Sequence, residues 1–277
     1  MATSPANFRP SVWADTFRDY FGQIPAVIDL VDRYDQFASQ AGRGETIQIP
    51  SLTVSAAGAV TPGSMIASLG TVTDAGNTLT IDKFRGISLE VNPLHERFNH
   101  PDWRNSLMRD AARRIKNDTN DILLALAGTE GTPASVTQAV NAAGGALTDA
   151  DILEASQLLD DAEFPEEDRY LILPPVAVND LAGIAEYISK DFGDGQSQHR
   201  VMMVRGFQVV KVPAAYFNLE TTIYSGLALH KSAIAAAVAP PHMKLAAQAG
   251  EYRDILEVGA IWGQKVCKYT GLVRVNR

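Results

Sequence analysis

The chain has 277 residues, of which 46% are hydrophobic and 20% charged, and its formal net charge is -8. This length allows a buried core in one large domain or in two closely joined ones. The acidic balance argues against nucleic-acid binding through general basicity, because duplex affinity comes mostly from lysine and arginine on phosphates.

Cysteine content and hydropathy narrow the class further. Cys267 is the one cysteine, so no internal disulfide or cysteine-rich metal site is expected, in keeping with a reducing cytoplasm. Met1 to Pro10 lack an apolar core of signal-peptide length, and no stretch approaches the ~20 apolar residues of a membrane helix. We therefore expect a soluble protein with no membrane partner.

The first 41 residues are predicted to form an N-terminal arm. Its apolar side chains recur near the helical period, which Gly22 and Pro25 interrupt, so two short amphipathic segments are favoured over one helix. The aromatics either pack on the arm's own domain or lie across a neighbouring subunit, and the residues leave both alternatives open. They include Trp13, Phe17, Tyr20 and Phe21.

Residues 42–93 have the pattern of a long two-stranded ribbon. Thr46–Ile49 and Ile87–Val91 alternate apolar with other residues, each stops near a proline, and small turn-forming residues fill the segment between them. A two-stranded ribbon is marginally stable alone, so we expect it to lie against another surface. The alternative is a flexible loop.

The clearest helix signal covers about residues 101–127. Pro101 suits a first helical position, Asp102 favours the positive helix end, and Gly128 suits the stop. Apolar residues from Trp103 to Leu126 recur at helical steps. A helix of about 26 residues is on the order of 40 Å long, which suits a structural spine.

The second half of the chain mixes helices and strands. Thr148 is predicted to cap a helix that has Asp149 and Asp151 near its start. Asp168–Pro175 has the composition of a buried strand, a third helix is predicted over 177–189, and strands follow. The chain is therefore predicted to be α+β, with no internal repeat.

The sequence carries none of the common catalytic, nucleotide-binding or zinc-binding signatures. The five histidines are scattered, and the acidic residues between Asp160 and Asp168 lack the ligand spacing of a calcium loop, so a solvated acidic face is favoured. We expect no enzymatic activity, no cofactor and no metal. An enzyme with a dispersed site is the alternative.

The order of these elements is similar to the Hong Kong 97-type fold of tailed-phage major capsid proteins. In that family an N-terminal arm and an extended loop precede a spine helix and an axial domain. The local resemblances lie at Val31–Tyr34, Gly42–Pro50, Leu79–Lys83, Asp168–Pro175, Arg205–Val210, Leu229–Ala237 and Tyr252–Gly263.

The resemblance implies a division of the chain into five parts. These are the arm (1–41), the extended β-hairpin loop (42–93), a peripheral domain with the spine helix (94–146), an axial α/β domain (147–240) and C-terminal strands (241–277). No long charged helical extension of the fused-scaffold kind is present, which implies a separate scaffolding protein or none. Lys83 is not expected to form a covalent cross-link.

The resemblance also implies a structural role. The chain would assemble with itself through pentamers and hexamers into an icosahedral shell, in weak, non-specific contact with packaged double-stranded DNA. Portal, scaffolding and decoration proteins are further expected partners, and the expected location is the virion capsid, assembled in the host bacterial cytoplasm. An encapsulin-like compartment and another virion component, such as a tail protein, are the alternatives.

Under this hypothesis the functional site is a subunit interface. Buried aromatic and aliphatic anchors usually dominate interface energy, and the arm and the ribbon supply such side chains. The predicted anchors are Trp13, Phe17, Tyr20, Phe21, Ile47, Ile49, Ile87 and Leu89.

Overall fold

The structure is a computed structural model. It describes residues 17, 19–21, 27–38, 46–50, 52–53, 73–74, 76–91, 103–126, 138–141, 145–184, 203–213, 225–247 and 254–276. Among the helices in these ranges, none combines the length and the apolar character that crossing a bilayer requires.

The described ranges contain fifteen strands and four α-helices with defined bounds, besides three short 3-10 helices and the helical residues 17 and 19–21. The helices are α1 (Asp35–Ala38), α2 (Trp103–Leu126), α3 (Asp149–Asp161) and α4 (Pro175–Ala182). The strands before α3 are β1 (Asp32–Arg33), β2 (Thr46–Ile49), β3 (Leu52–Thr53), β4 (Thr73–Asp74), β5 (Asn77–Thr80), β6 (Lys83–Val91) and β7 (Gln138–Asn141). The later strands are β8 (Arg169–Leu173), β9 (Met203–Val204), β10 (Phe207–Lys211), β11 (Ser225–His230), β12 (Ile234–Val238), β13 (His242–Ala247), β14 (Asp254–Val266) and β15 (Leu272–Asn276).

The ribbon is built from β2 to β5. Antiparallel pairing joins Thr46–Ile49 to Asn77–Thr80 and continues with Leu52–Thr53 on Thr73–Asp74. The return strand is therefore Asn77–Thr80, whereas the alternation at Ile87–Val91 had indicated that segment. Ile87–Val91 instead lies in β6, which pairs with β14. Period-two alternation specifies one buried face but not the partner strand, and β6 has such a face.

A five-stranded sheet organises the middle of the molecule. The strand β14 lies at its centre. The strand β6 pairs with one edge of β14, and β12 and β13 pair with successive parts of its other edge. The strand β1 adds to β12 in parallel. The long helix α2 packs on this sheet and buries Met108, Ala111, Ala112, Ile115, Leu123 and Leu124. Of the predicted stripe, Ala111 and Ile115 are buried, whereas Leu107 and Ile122 are half-buried.

The second large sheet has six strands, in the order β7-β15-β11-β8-β10-β9. Its inner strand β8 buries Leu171, Ile172 and Leu173 in succession, as expected of a strand covered on both faces. Helices α3 and α4 contribute Ile152, Leu159 and Leu181 to the core on one face. The backbone N–H of Thr148 donates to Asp151 Oδ2 at 2.8 Å, which caps the start of α3 as predicted.

The main core lies between the two sheets and α2. It joins Trp262 of β14 and Met108 of α2 to Leu227 and Leu272 of the six-stranded sheet. Two strand pairings join segments that lie far apart in the sequence. The strand β7 pairs with β15, and β12 pairs with β14. The division of the chain into five parts stays a prediction.

Candidate subunit interface

The described part of the arm packs on its own subunit. Phe17 and Phe21 are buried with ring centroids 6.1 Å apart, and both belong to the main core. The guanidinium of Arg109 lies 5.0 Å from the centroid of the half-buried Tyr20 ring. These side chains therefore pack within one chain, and their contact with a neighbouring subunit stays a prediction. Trp13 lies outside the described residues.

Polar contacts, some of them buried, hold Val27 and Asp29 against α2. The backbone N–H of Val27 donates to Asn120 Oδ1 at 2.7 Å in a buried position. Lys116 Nζ donates to Asp29 Oδ2 at 3.3 Å and lies 4.7 Å from the Phe21 ring centroid. Burial lowers the pKa of Lys116, and the Asp29 carboxylate opposes that shift. The arm is thus held by specific polar groups as well as by apolar contact.

The base of the ribbon packs on the outer face of the five-stranded sheet. Ile49 is buried and Ile47 is half-buried, in a cluster with Leu79, Ile81 and Ala237. Gly263 of β14 permits this approach, because a Cβ there would overlap the carbonyl oxygen of Thr80 and lie 2.9 Å from Ile81 Cα. The opposite side of this base is polar and exposed, with Thr46, Gln48, Thr78 and Thr80.

The two remaining predicted anchors lie in β6. Ile87 and Leu89 stand opposite Val258 and Leu256 and are half-buried against the main core. Of the seven predicted anchors in the described residues, five belong to or pack against the main core, and Ile47 and Ile49 lie in the cluster below the ribbon. Phe17, Phe21 and Ile49 have little exposed area left to bury. Which of the eight side chains contact a neighbouring subunit stays a prediction.

The part of the outer sheet face that the ribbon base leaves open carries an exposed aromatic pair. The rings of Phe84 and His242 are 6.4 Å apart and inclined by 29°. The Phe84 ring lies across Gly86 and Gly259, which face one another on β6 and β14. A groove of about 260 Å³ opens beside them, with Ser88 and Glu257 in its lining.

Phe84 is not among the anchors predicted from the sequence, and it is 41% exposed although phenylalanine is usually buried. A signal was present, because Phe84 alternates with Ile87 and Leu89 and therefore belongs to the polar face of β6 with Ser88 and Glu90.

The chemistry of the described residues is sparse. No group of three or more His, Cys, Asp or Glu side chains in these ranges is placed to hold a metal ion. Burial raises the pKa of the Cys267 thiol. Burial, with Asp32 second, raises the pKa of Tyr34. The distinctive features of the described residues are therefore packing surfaces and buried polar contacts.

The fold is shared with solved phage capsids. No protein-family model and no curated protein matches the sequence. A structure from Mycobacterium phage Che8 is 20% identical, with a TM-score of 0.68 over 91% of each chain. The capsid of cyanophage P-SCSP1u is 17% identical, with a TM-score of 0.69 over 91% of this chain and 88% of that one.

A virus-like particle from Pyrococcus furiosus is also similar. It is 9% identical, with a TM-score of 0.58 over 96% of this chain and 98% of that chain. The chain therefore has the Hong Kong 97-like fold of phage capsids, and the predicted α+β architecture is confirmed. At these identities the likeness defines the fold.

Proposed function

We propose that the chain is the major capsid protein of a tailed phage. It would assemble with itself through pentamers and hexamers into an icosahedral shell around double-stranded DNA. The observation that carries the proposal is similarity to a phage capsid with a TM-score of 0.69 over 91% of this chain and 88% of that one.

The physical argument for assembly starts from the ribbon. Its base is held on the chain's own sheet, but a two-stranded extension beyond that base is marginally stable in water. A neighbouring copy that covers it would supply the missing buried surface. Contacts between different patches of identical subunits generate closed rings and shells when the rotation closes.

The proposed contact surface combines predicted and observed features. Trp13 of the arm and the half-buried Ile47, Ile87 and Leu89 are proposed to add buried area at the contact with a neighbour. The exposed Phe84 beside His242 is proposed as a further anchor on the open sheet face. Phe17, Tyr20, Phe21 and Ile49 would act chiefly by holding the arm and the ribbon in place.

The proposal includes partners and a location. An acidic chain suits weak, non-specific contact with DNA, because a net charge of -8 gives no general affinity for phosphates. Portal, scaffolding and decoration proteins would complete the particle. Assembly would take place in the host bacterial cytoplasm, and the mature location would be the virion.

An encapsulin-like compartment is the second candidate, favoured by the similarity to the Pyrococcus furiosus virus-like particle. The same shell physics applies to both candidates, so the enclosed cargo distinguishes them. Particles that protect double-stranded DNA from nuclease support the phage function. Particles that enclose one folded protein species and no DNA support the compartment.

The first experiment is to express the chain alone, separate it on a sizing gradient and image the fractions by negative-stain electron microscopy. Closed shells, or rings of five and six, are expected. A small oligomer that stays monodisperse across concentration and salt, and with added scaffolding candidates, would contradict the proposal and favour an enzyme. Fibres, tubes or trimers would favour another virion component.

A further inference from the structure

The two sheets are joined by two connections that run side by side. Residues 231–233 lead from β11 to β12, and residues 267–271 lead from β14 back to β15. We call these two segments the double crossover. The backbone N–H groups of Cys267 and Lys268 both donate to the carbonyl oxygen of Ala233, at 2.8 and 3.1 Å. A change in either segment is therefore transmitted directly to the other.

His230 caps the first segment of the double crossover. It is the last residue of β11 and is buried. The backbone N–H of Ser232 donates to His230 Nδ1 at 3.3 Å, and Ser232 Oγ lies 2.9 Å from the same nitrogen. A neutral imidazole that carries its hydrogen on Nε2 can accept at Nδ1 from the Ser232 groups, whereas an imidazolium carries a hydrogen on Nδ1 and can only donate there, to Ser232 Oγ. Protonation thus removes the cap on the Ser232 backbone N–H and reverses the hydrogen bond with the hydroxyl.

The charges around His230 come from three other elements. Arg169 of β8 and Lys268 of the second crossover disfavour an imidazolium, and Asp168 beside β8 and Asp32 of β1 favour it. Burial is the largest influence and Arg169 the next, and together they lower the pKa of His230. The packed crossover therefore favours the neutral, accepting form of the ring.

A third segment, which carries Phe164, packs against His230. The Phe164 ring lies 5.2 Å from the His230 ring, and Lys268 Nζ lies 5.6 Å from the Phe164 ring centroid. Gly271 makes room for it, since a Cβ there would lie 2.8 Å from a Phe164 ring carbon. The turn that carries Phe164 is held by Arg169, which donates to the carbonyl oxygens of Phe164 and Pro165 at 2.6 and 2.8 Å.

We propose that the double crossover is an acid-sensitive joint between the two sheets, closed while His230 is neutral and opened when His230 takes up a proton at Nδ1. Opening removes the acceptance of the Ser232 backbone N–H at Nδ1, which releases the first segment of the double crossover from its cap. This inference concerns the single subunit and does not depend on the proposed function.

The sign of the pH dependence follows from linkage. A histidine whose pKa is lower in the closed crossover than in the open one stabilises the closed form above the open-form pKa. That stabilisation is lost as the pH falls through the closed-form value. The ratio of open to closed molecules then rises tenfold for each pKa unit that separates the two forms.

Cys267 provides an internal probe, because it is the one cysteine of the chain and forms part of the joint. The experiment measures how fast a dipyridyl disulfide, which reacts with thiols even in acid, modifies Cys267 from about pH 7.5 to about pH 5. Each rate is divided by that of the urea-unfolded chain at the same pH, which removes the intrinsic pH dependence of the thiol. We expect the protection of Cys267 to fall progressively with acidification.

Two variants test the assignment to His230. Asn is a good N-cap that cannot be protonated, so His230→Asn should keep Cys267 protected across the whole pH range. His242→Gln, at the exposed histidine of β13, should behave like the wild type. Protection that does not change with pH in the wild type, or that still falls in His230→Asn, would overturn the proposal.

A second measurement needs no variant. The C2-hydrogen exchange of each imidazole, followed by mass spectrometry, gives the titration midpoint of His230 in the wild-type chain. The loss of Cys267 protection is expected to follow that titration. A midpoint for Cys267 exposure that differs from the His230 midpoint would also overturn the proposal, even if His230→Asn failed to fold.

Discussion

Lys116 shows how a single buried charge shapes this molecule. Its side chain is 4% exposed on the inner face of α2, where Asp29 is its ionic partner. A buried ion pair is weak evidence for stability, because desolvation offsets much of the attraction. Asp29 also pairs with Arg33 at 2.6 Å, so the carboxylate keeps a partner if Lys116 is removed.

We therefore predict that Lys116→Met folds with equal or greater stability, within about 1 kcal/mol at neutral pH. Because the pKa of Lys116 is lowered in the folded chain, the unfolded chain binds its proton more tightly. The wild type should then gain stability relative to the variant as the pH rises towards the ordinary lysine pKa of 10.5. Urea unfolding at about pH 8 and about pH 10 measures this difference; a constant or opposite difference would refute the argument.

Gly263 and Gly86 are two strand glycines whose replacement by alanine is expected to have different effects. A methyl group at Gly263 meets the backbone of Thr80 and Ile81, whereas one at Gly86 makes ordinary contacts at 3.4 Å or more. Gly263→Ala should cost about 1–3 kcal/mol through overpacking, and Gly86→Ala should be close to neutral. Thermal unfolding of both variants tests this, and equal effects would mean that the ribbon base does not pack as described.

At the scale of elements, Arg169 organises the turn between α3 and β8. Its side chain is 2% exposed and also pairs with Asp160 at 2.6 Å. Because a planar guanidinium reaches several acceptors that one ammonium cannot, Arg169→Lys should lose about 2–3 kcal/mol. The control is Arg114→Lys, at an exposed pair with Asp110, where less than about 0.5 kcal/mol is expected. Urea midpoints that shift equally in the two variants would contradict this role.

Elements with a strong period were predictable from the sequence. The spine helix follows from the apolar stripe between Trp103 and Leu126, and β8 follows from its continuous apolar run. The return strand of the ribbon was misplaced, because the alternation of Ile87–Val91 is equally typical of a ribbon arm and of the core-edge strand β6. Strand pairing is a long-range property that local alternation does not specify.

The sequence predicted the kind of site, a subunit interface, but not which surface buries each aromatic side chain. Aromatic residues such as Phe17 and Phe21 indicate burial, but a pattern does not say whether the burying surface belongs to the same chain. In the structure it does. The ion pair of Lys116 left no local signal, because its partner Asp29 lies 87 residues away in the sequence.

At the scale of the whole molecule, we expect that a substitution can impair assembly without impairing the folding of the subunit. Trp13→Ala should reduce the yield of closed shells while leaving a soluble, folded subunit, because the proposed role of Trp13 is at the contact with a neighbour. Sedimentation reports assembly, and far-UV circular dichroism reports folding. The comparison variant is Tyr20→Ala. Tyr20 is close to Trp13 in the sequence but contacts Arg109 of its own chain. Normal shells from Trp13→Ala would remove Trp13 from the interface.

Cryo-electron microscopy of the assembled wild-type particle tests the central claim most directly. The capsid hypothesis predicts a closed icosahedral shell whose subunits form rings of five and six. It also predicts that the ribbon beyond its base at Thr46–Ile49 lies on a neighbouring copy. A particle with helical or three-fold fibre symmetry, or a ribbon folded back entirely on its own subunit in a small oligomer, would contradict it.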